Sequence, residues 1–174
     1  KEPEPSEYNL LRKGQILFTY LHLAPNPTLT EELMQRGVKA VAYETITDKE
    51  GNLPCLRPMS QVAGRLSIQE GAKYLERSFG GRGLLLGGVP GVERGKIAII
   101  GGGIAGTYAA KAAVGMDAQV TLLDINLNRL SYLEDVFGAS VTTLYSTDAN
   151  IRKCLAEADL VIGSVLIPGG STPK

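Results

Sequence analysis

Tryptophan is absent from this chain, histidine occurs once and cysteine twice among 174 residues. Cys55 and Cys154 stand far apart, in no metal-ligand spacing. Two such residues suit a reducing compartment better than a disulfide scaffold. An excess of either charge is missing too, with Lys plus Arg and Asp plus Glu at 18 each. That balance excludes the broad basic field through which nucleic acid or an anionic membrane is bound. No apolar run approaches the ~20 residues of a membrane helix. The opening KEPEPSEY carries neither a signal-peptide core nor an initiator Met; on the cysteine usage the cytoplasm is the expected location. Both ends look cut: Lys1 opens into a charged, proline-containing segment, and VLIPGGSTPK stops after an apolar strand. A segment from the middle of a longer protein is therefore expected. What is present, 44% hydrophobic and 21% charged residues, is enough to bury a core in one medium domain or parts of two.

The single histidine, His22, lies in ILFTYLHLAP, where an apolar run meets a proline-containing loop. Residues 16–21 read as a strand. Thr28-Leu29-Thr30-Glu31 has capping-box spacing and opens a helix whose Leu29, Leu33 and Met34 share helical spacing, with Gly37 as the stop. VKAVAYET, 38–45, reads as a second buried strand. Strand, helix, strand is one βαβ unit, and ligands of open α/β sheets bind beyond the carboxyl ends of the strands. His22 falls at such an end. By itself it reads equally as a structural strand-end residue or as a catalytic group.

Residues 46–57 read as a loop, and 58–78 as a helix connecting two lobes. Met59, Val62, Ala63 and Leu66 form its apolar stripe, while Gly64 and Gly71 share a face and permit close packing. The capping-box spacing at Ser67 to Glu70 leaves a kink or restart near 67 open. Residues 80–106 then hold 11 of the 21 glycines. Apolar residues are interleaved among them, so this segment reads as a packed loop rather than a flexible linker.

KIAIIGGGIAGTYAAKAAVGMDAQVTLLD is the most informative stretch. A buried strand, 97–100, runs into Gly101-x-Gly103-x-x-Gly106, and a helix of small residues follows. Gly101 makes the tight turn, Gly103 lets a pyrophosphate approach the backbone, and Gly106 lets helix and strand pack closely. The helix start offers N–H groups and partial positive charge to phosphates. Asp124 ends the next strand, 23 residues past Gly101, where it can accept both ribose hydroxyls. It would repel a 2′-phosphate, and no arginine directly follows it, so NAD is expected rather than NADP. Two further helix–strand pairs follow, with strands at 141–145 and 160–166. Val165 and Leu166 end the last strand level with the nucleotide crevice. The fold class is α/β: an incomplete Rossmann-like doubly wound parallel sheet plus part of a second α/β substrate lobe. The expected divisions are 1–57 for the substrate lobe, 58–79 for the connecting helix and 80–174 for a truncated NAD-binding domain.

With KEPEPSEY, ILFTYLHLA, AYETI, PMSQVAGR, GGRGLLLGGVPGV, the glycine fingerprint, LLDIN and DLVIGSVLIPG taken together, the chain resembles the alanine dehydrogenase family over its whole length. The NAD-binding subunit of proton-translocating transhydrogenase shares the fold and glycine loop, but the resemblance parts from it at TYLHLA and LLDIN. The resemblance implies NAD-dependent oxidative deamination of L-alanine to pyruvate and ammonia. It implies that His22 is catalytic and that Lys1 holds the substrate carboxylate or carbonyl. It implies nucleotide contacts from Ser60, Ile104, Ala105, Asp124, Arg129, Ser146, Val165 and Leu166. It also implies a homohexamer. A substrate arginine and a catalytic acid of the family fall outside this sequence, so the chain alone is expected not to turn over alanine. Two other readings remain: a transhydrogenase-type subunit, and a catalytically silent NAD-binding protein.

Overall fold

A computed structural model describes residues 1–166. The chain divides into two compact units, the first being Lys1–Pro58 and the second beginning at Met59.

In the first unit, β1 (Ile16–Thr19) pairs in parallel with β2 (Lys39–Ala42), Ile16 opposite Lys39 and Thr19 opposite Ala42. The crossover helix α1 (Pro27–Gln35) starts two residues earlier than the capping-box spacing suggests. Asn26 is the cap, its side chain accepting from the Leu29 N–H, and Pro27 takes the first helical position, where a missing N–H costs nothing. Gly37, at φ +66°, lets the chain leave the helix. Leu29 and Leu33, four residues apart, pack with Tyr8 and Leu21 into a small core. Met34, by contrast, is exposed. The second strand is not buried as its apolar run suggests: Lys39, Ala40 and Val41, on both faces of this two-stranded sheet, are exposed.

In the second unit, β3 (Lys96–Ile100), β4 (Gln119–Asp124), β5 (Val141–Tyr145) and β6 (Leu160–Gly163) form one parallel sheet in the order β5-β4-β3-β6. α3 (Ile104–Gly115), α4 (Leu127–Phe137) and α5 (Asp148–Glu157) make the connections. Numbered within the unit this is 3-2-1-4, the first part of a doubly wound sheet, with its switch point between β3 and β6. The last strand is shorter than its apolar run: it ends at Gly163, so Val165 and Leu166 lie in the segment beyond it. Residues 167–174, including the end of DLVIGSVLIPG, lie outside the described residues.

The core explains the composition of these elements. Ile97, Ile99, Val120, Leu122 and Leu133 are buried with Ala109, Ala110 and Ala113, which let α3 lie close against the sheet. Each large apolar side chain contributes on the order of 1.5–3 kcal/mol by its burial. The long helix α2 (Arg57–Leu75) runs unbroken through Ser67, whose hydroxyl donates to the Gly64 carbonyl at 2.8 Å. Its buried face is not the apolar stripe expected from the sequence. Gly64, Ile68 and Leu75 face inward, while Met59, Val62, Ala63 and Leu66 are exposed. The reason is steric: a Cβ on Gly64 would lie 2.2 Å from the Ala105 carbonyl, so only a side chain of hydrogen allows this approach to α3. The glycine-rich segment before β3 is packed as expected, with Leu86 buried and Gly95 against Leu84 and Leu86.

Candidate functional site

The loop after β3 is built around contacts that leave no room for side chains. Gly101 takes φ +103°, and its N–H donates to the Leu123 carbonyl at 2.7 Å. A Cβ on Gly106 would fall 1.9 Å from the Gly101 carbonyl oxygen, which is why helix and strand can meet only through glycine. Gly102 is equally constrained, since its Cβ would lie 2.8 Å from Leu133 Cδ1 and 3.1 Å from Asp124 Oδ2. Sequence reasoning passed over this middle glycine because the fingerprint leaves its position free. Gly103 differs from all of these. It is exposed, and a Cβ there would meet nothing within 4 Å.

Asp124, at the end of β4, turns its carboxylate onto this loop. Oδ2 accepts from the Gly102 N–H at 2.6 Å and Oδ1 from the Asn126 N–H at 2.8 Å. Arg129 completes the hold: its Nε donates to the Gly102 carbonyl at 2.6 Å and its Nη2 to the Thr107 hydroxyl at 2.6 Å. Its guanidinium also lies 4.9 Å from the centre of the Tyr132 ring. The Ser146 N–H donates to the Asp124 carbonyl at 3.0 Å, bringing the start of the β5–α5 loop to the same rim. Across the switch point, the Ser164 hydroxyl donates to the carbonyls of Gly101 (2.7 Å) and Ile100 (3.1 Å). In sequence Ser164 lies within the strand expected over 160–166, which hides it; the structure ends that strand at Gly163, one residue before it. Val165 follows directly, its backbone N 3.1 Å from where a Gly101 Cβ would stand. Ile104 and Ala105 open α3, whose cap Gly103 supplies no side-chain hydrogen bond. Ser60 lies on α2 one turn before Gly64 and so on the face that meets α3. Leu166 is exposed.

These residues fit a dinucleotide. The open space above Gly103, beside a helix start with no side-chain cap, is large enough in this direction that a diphosphate there would displace no protein atom within 4 Å of where a Gly103 Cβ would stand. A carboxylate has about four lone-pair sites, so Asp124 can hold the loop and still accept from ribose hydroxyls. The Arg129 guanidinium gives Nε and Nη2 to the loop and lies over the Tyr132 ring.

The first unit gathers a second set of residues. His22 follows β1 by three positions, with φ +48° and an exposed side chain. Its backbone N–H and that of Leu21 both donate to the Glu44 carboxylate, at 2.7 Å and 3.0 Å. Its Nδ1 lies 3.7 Å from Glu2 Oε2. The KEP segment is tied to the same strand end, for the Thr19 hydroxyl donates to the Lys1 carbonyl at 2.9 Å. The Lys1 ammonium pairs with Glu4, whose hydrogen bond and negative charge raise the lysine pKa above its ordinary value. Tyr20 packs edge-on to Tyr43 and donates its hydroxyl to the Cys55 carbonyl. Lys1, Glu2, His22 and Glu44 thus meet at one end of the β1–β2 pair. Among the described residues no group of acids, histidines and cysteines could hold a metal ion, and no helix is long and apolar enough to cross a membrane.

Residues 1–63 match the family described as "Alanine dehydrogenase/PNT, N-terminal domain", and residues 67–174 match its C-terminal domain. The alanine dehydrogenase of Methanococcus maripaludis is 58% identical over all of this chain, which covers 47% of that protein. That of Bacillus subtilis is 56% identical over 99% of this chain and 46% of its own length. A solved L-alanine dehydrogenase superposes on 99% of this chain and 48% of its own, with a TM-score of 0.88 at 59% identity. A transhydrogenase from Sinorhizobium meliloti shares the fold, with a TM-score of 0.76 at 20% identity over 99% of this chain and 50% of its own. The chain spans about half the length of the curated relatives it matches. With both units matched in order and an unbroken likeness to alanine dehydrogenases from end to end, this chain belongs to the alanine dehydrogenase/PNT family.

Proposed function

We propose that the whole protein to which this chain belongs is an NAD-dependent L-alanine dehydrogenase. The observation that carries the reading is the identity above half with alanine dehydrogenases along the entire chain, both units included. The overall reaction converts alanine, water and NAD to pyruvate, ammonium, NADH and a proton. The first unit is read as part of the substrate lobe, and the residues from Met59 onward as α2 with the nucleotide lobe. Gly101, Gly103, Gly106, Ile104 and Ala105 receive the diphosphate, Asp124 the adenosine ribose, and Arg129 holds the loop around them. Ser60, Ser146, Val165 and Leu166 line the same site. The nicotinamide nucleotide supplies the hydride acceptor.

The side chains of the first unit handle the substrate's charge and protons. Once the substrate ammonium has given up a proton, loss of a hydride from Cα leaves an iminium whose carbon water attacks. His22 takes a proton from that water at an imidazole nitrogen. Lys1 stabilises the negative oxygen that develops on the same carbon or holds the carboxylate. Its exposed pair with Glu4 is a weak competitor for that role. Glu2 Oε2 lies 3.7 Å from His22 Nδ1.

Cys55 and Cys154, both free thiols, agree with a cytoplasmic location. The exposed stripe Met59, Val62 and Leu66 offers apolar surface for a homo-oligomer, a hexamer by family resemblance. The test is NADH formation with L-alanine, measured on the longest native form of the protein and on His22→Ala. Strong activity lost in the variant supports the reading. Equal activity in both makes His22 structural, and NADH binding without turnover in either points to a transhydrogenase-type subunit or a silent binder.

A further inference from the structure

Every substrate-facing role in the first unit depends on where the His22 imidazole points, and its backbone is in an unusual state. A residue with a β-carbon at φ +48° lies in the left-handed region, which sterics disfavour outside glycine. Continuation of β1 in extended form would be the default, and it would send the side chain elsewhere. The strands flanking this point are parallel and in register, Thr19 opposite Ala42. The chains leaving β1 and β2 therefore emerge side by side, at Tyr20–His22 and in the short 3-10 turn Tyr43–Thr45. From that turn Glu44 reaches across. Its Oε1 accepts from both Leu21 N–H (3.0 Å) and His22 N–H (2.7 Å), with Oε2 3.3 Å from the Leu21 nitrogen.

Two successive peptide N–H groups converging on one anion form a concave nest, and charge-assisted bonds of this kind are among the stronger ones in proteins. Leu21 is fully buried in the small core with Leu29 and Leu33, so one wall of the nest is rigid. The other wall is His22 itself. Burial works against the Glu44 charge, but the bonds from its own N–H and from those of His22 and Leu21 outweigh it, so the carboxyl titrates below its usual range. Glu44 makes these bonds to backbone N–H groups and also interacts with the His22 ring through its charge, while Glu2 Oε2 lies 3.7 Å from Nδ1.

We propose that Glu44 is a positioning residue for His22: its carboxylate, seated on the consecutive N–H groups of Leu21 and His22, holds the left-handed turn that directs the imidazole from the end of β1 toward the KEP segment. This rests on the reading of His22 as the group that moves the substrate proton. The role belongs to the geometry of the acceptor oxygen and not to the negative charge. Two conservative variants of the full-length enzyme separate these. Glu44→Gln keeps an acceptor oxygen at the same reach and loses the charge. Glu44→Asp keeps the charge and, one methylene shorter, cannot reach both N–H groups.

The experiment measures kcat and KM for L-alanine and the NADH dissociation constant in Glu44→Gln and Glu44→Asp. Each variant is made both in the natural background and in His22→Ala. Displacement of a reacting group by about an ångström costs up to about a hundredfold, so Glu44→Asp is expected to lower kcat by about tenfold or more. Glu44→Gln is expected to stay within about threefold of the natural enzyme, and both should bind NADH normally. In His22→Ala, Glu44→Asp should lower the residual rate by less than about twofold, because residues acting through one another are not additive. The proposal is overturned if Glu44→Gln is the damaging change, if neither variant changes kcat, or if the Asp effect is equal in both backgrounds. Full activity in His22→Ala alone would instead overturn the reading of His22, a separate outcome.

Discussion

The Asp124 carboxylate accepts a 2.6 Å hydrogen bond from the Gly102 N–H, joining the end of β4 to the loop that follows β3. Arg129 takes the carbonyl of the same residue, so Gly102 is held from both ends by side chains of opposite charge. The acid proposed to receive the ribose is therefore also a strut of the loop proposed to receive the diphosphate. An Asp124→Ala substitution removes both functions. It should weaken NADH binding by about 1–3 kcal/mol and lower the melting temperature as well. Titration calorimetry and a melt on the same sample check the pair of effects, and unchanged affinity would remove Asp124 from the site.

The glycines of the fingerprint should respond in opposite ways. Gly103→Val places its side chain in open space at an ordinary φ of −64°, so the fold should persist while nucleotide binding is abolished. Gly106→Ala drives a methyl group into the Gly101 carbonyl and should cost about 1–3 kcal/mol of overpacking strain before any ligand is added. Circular dichroism melts and NADH fluorescence on both variants test the contrast. Normal NADH binding by Gly103→Val would contradict the proposed path of the diphosphate.

The α2 glycines offer a graded comparison. Alanine raises helix propensity by about 0.8–1 kcal/mol at either position. At Gly64 the new methyl meets the Ala105 backbone carbonyl, which cannot move without shifting α3. At Gly71 it meets the Leu160 side-chain methyls, which can rotate. Gly64→Ala should therefore lose clearly more stability than Gly71→Ala in denaturant unfolding. Equal losses would mean that α2 does not approach α3 through Gly64.

Acid should act on the first unit through Glu44. Its folded pKa lies below its ordinary value because backbone N–H bonds outweigh the opposing effect of burial. A depressed carboxyl pKa means that the unfolded chain binds protons more readily than the folded one. The stabilisation is present above the unfolded value and is lost as pH falls through the folded one. Melting temperature should thus fall more steeply on acidification below the ordinary glutamate range in the natural protein than in Glu44→Gln. Parallel curves would show that the carboxylate does not gain its bonds on folding.

Much of this molecule is legible in the order of its residues. Ile97 to Ile100, the three glycines and Asp124 carry strand, turn and acid at spacings set by backbone geometry, and β4 and β5 fall where alternating apolar runs put them. Helix faces were harder to read. On α2 the stripe Met59, Val62, Ala63 and Leu66 is exposed while Gly64, Ile68 and Leu75 are buried, because close approach to α3 at Gly64 is decided by the absence of a side chain. The α1 cap went to Asn26 rather than Thr28, since Pro27 at the first position settles where the helix begins.

The sequence by itself determined the family, the parallel α/β architecture and the glycine loop, because local spacing and turn chemistry are properties of short segments. Only the tertiary structure decided which partners those segments acquire. Gly102 is gripped by Asp124 and Arg129 across 22 and 27 residues, and the His22 N–H is taken by Glu44 across 22. Such bonds exist only once parallel strands lie in register and bring separate loops to one edge, a relation that distance along the chain does not encode.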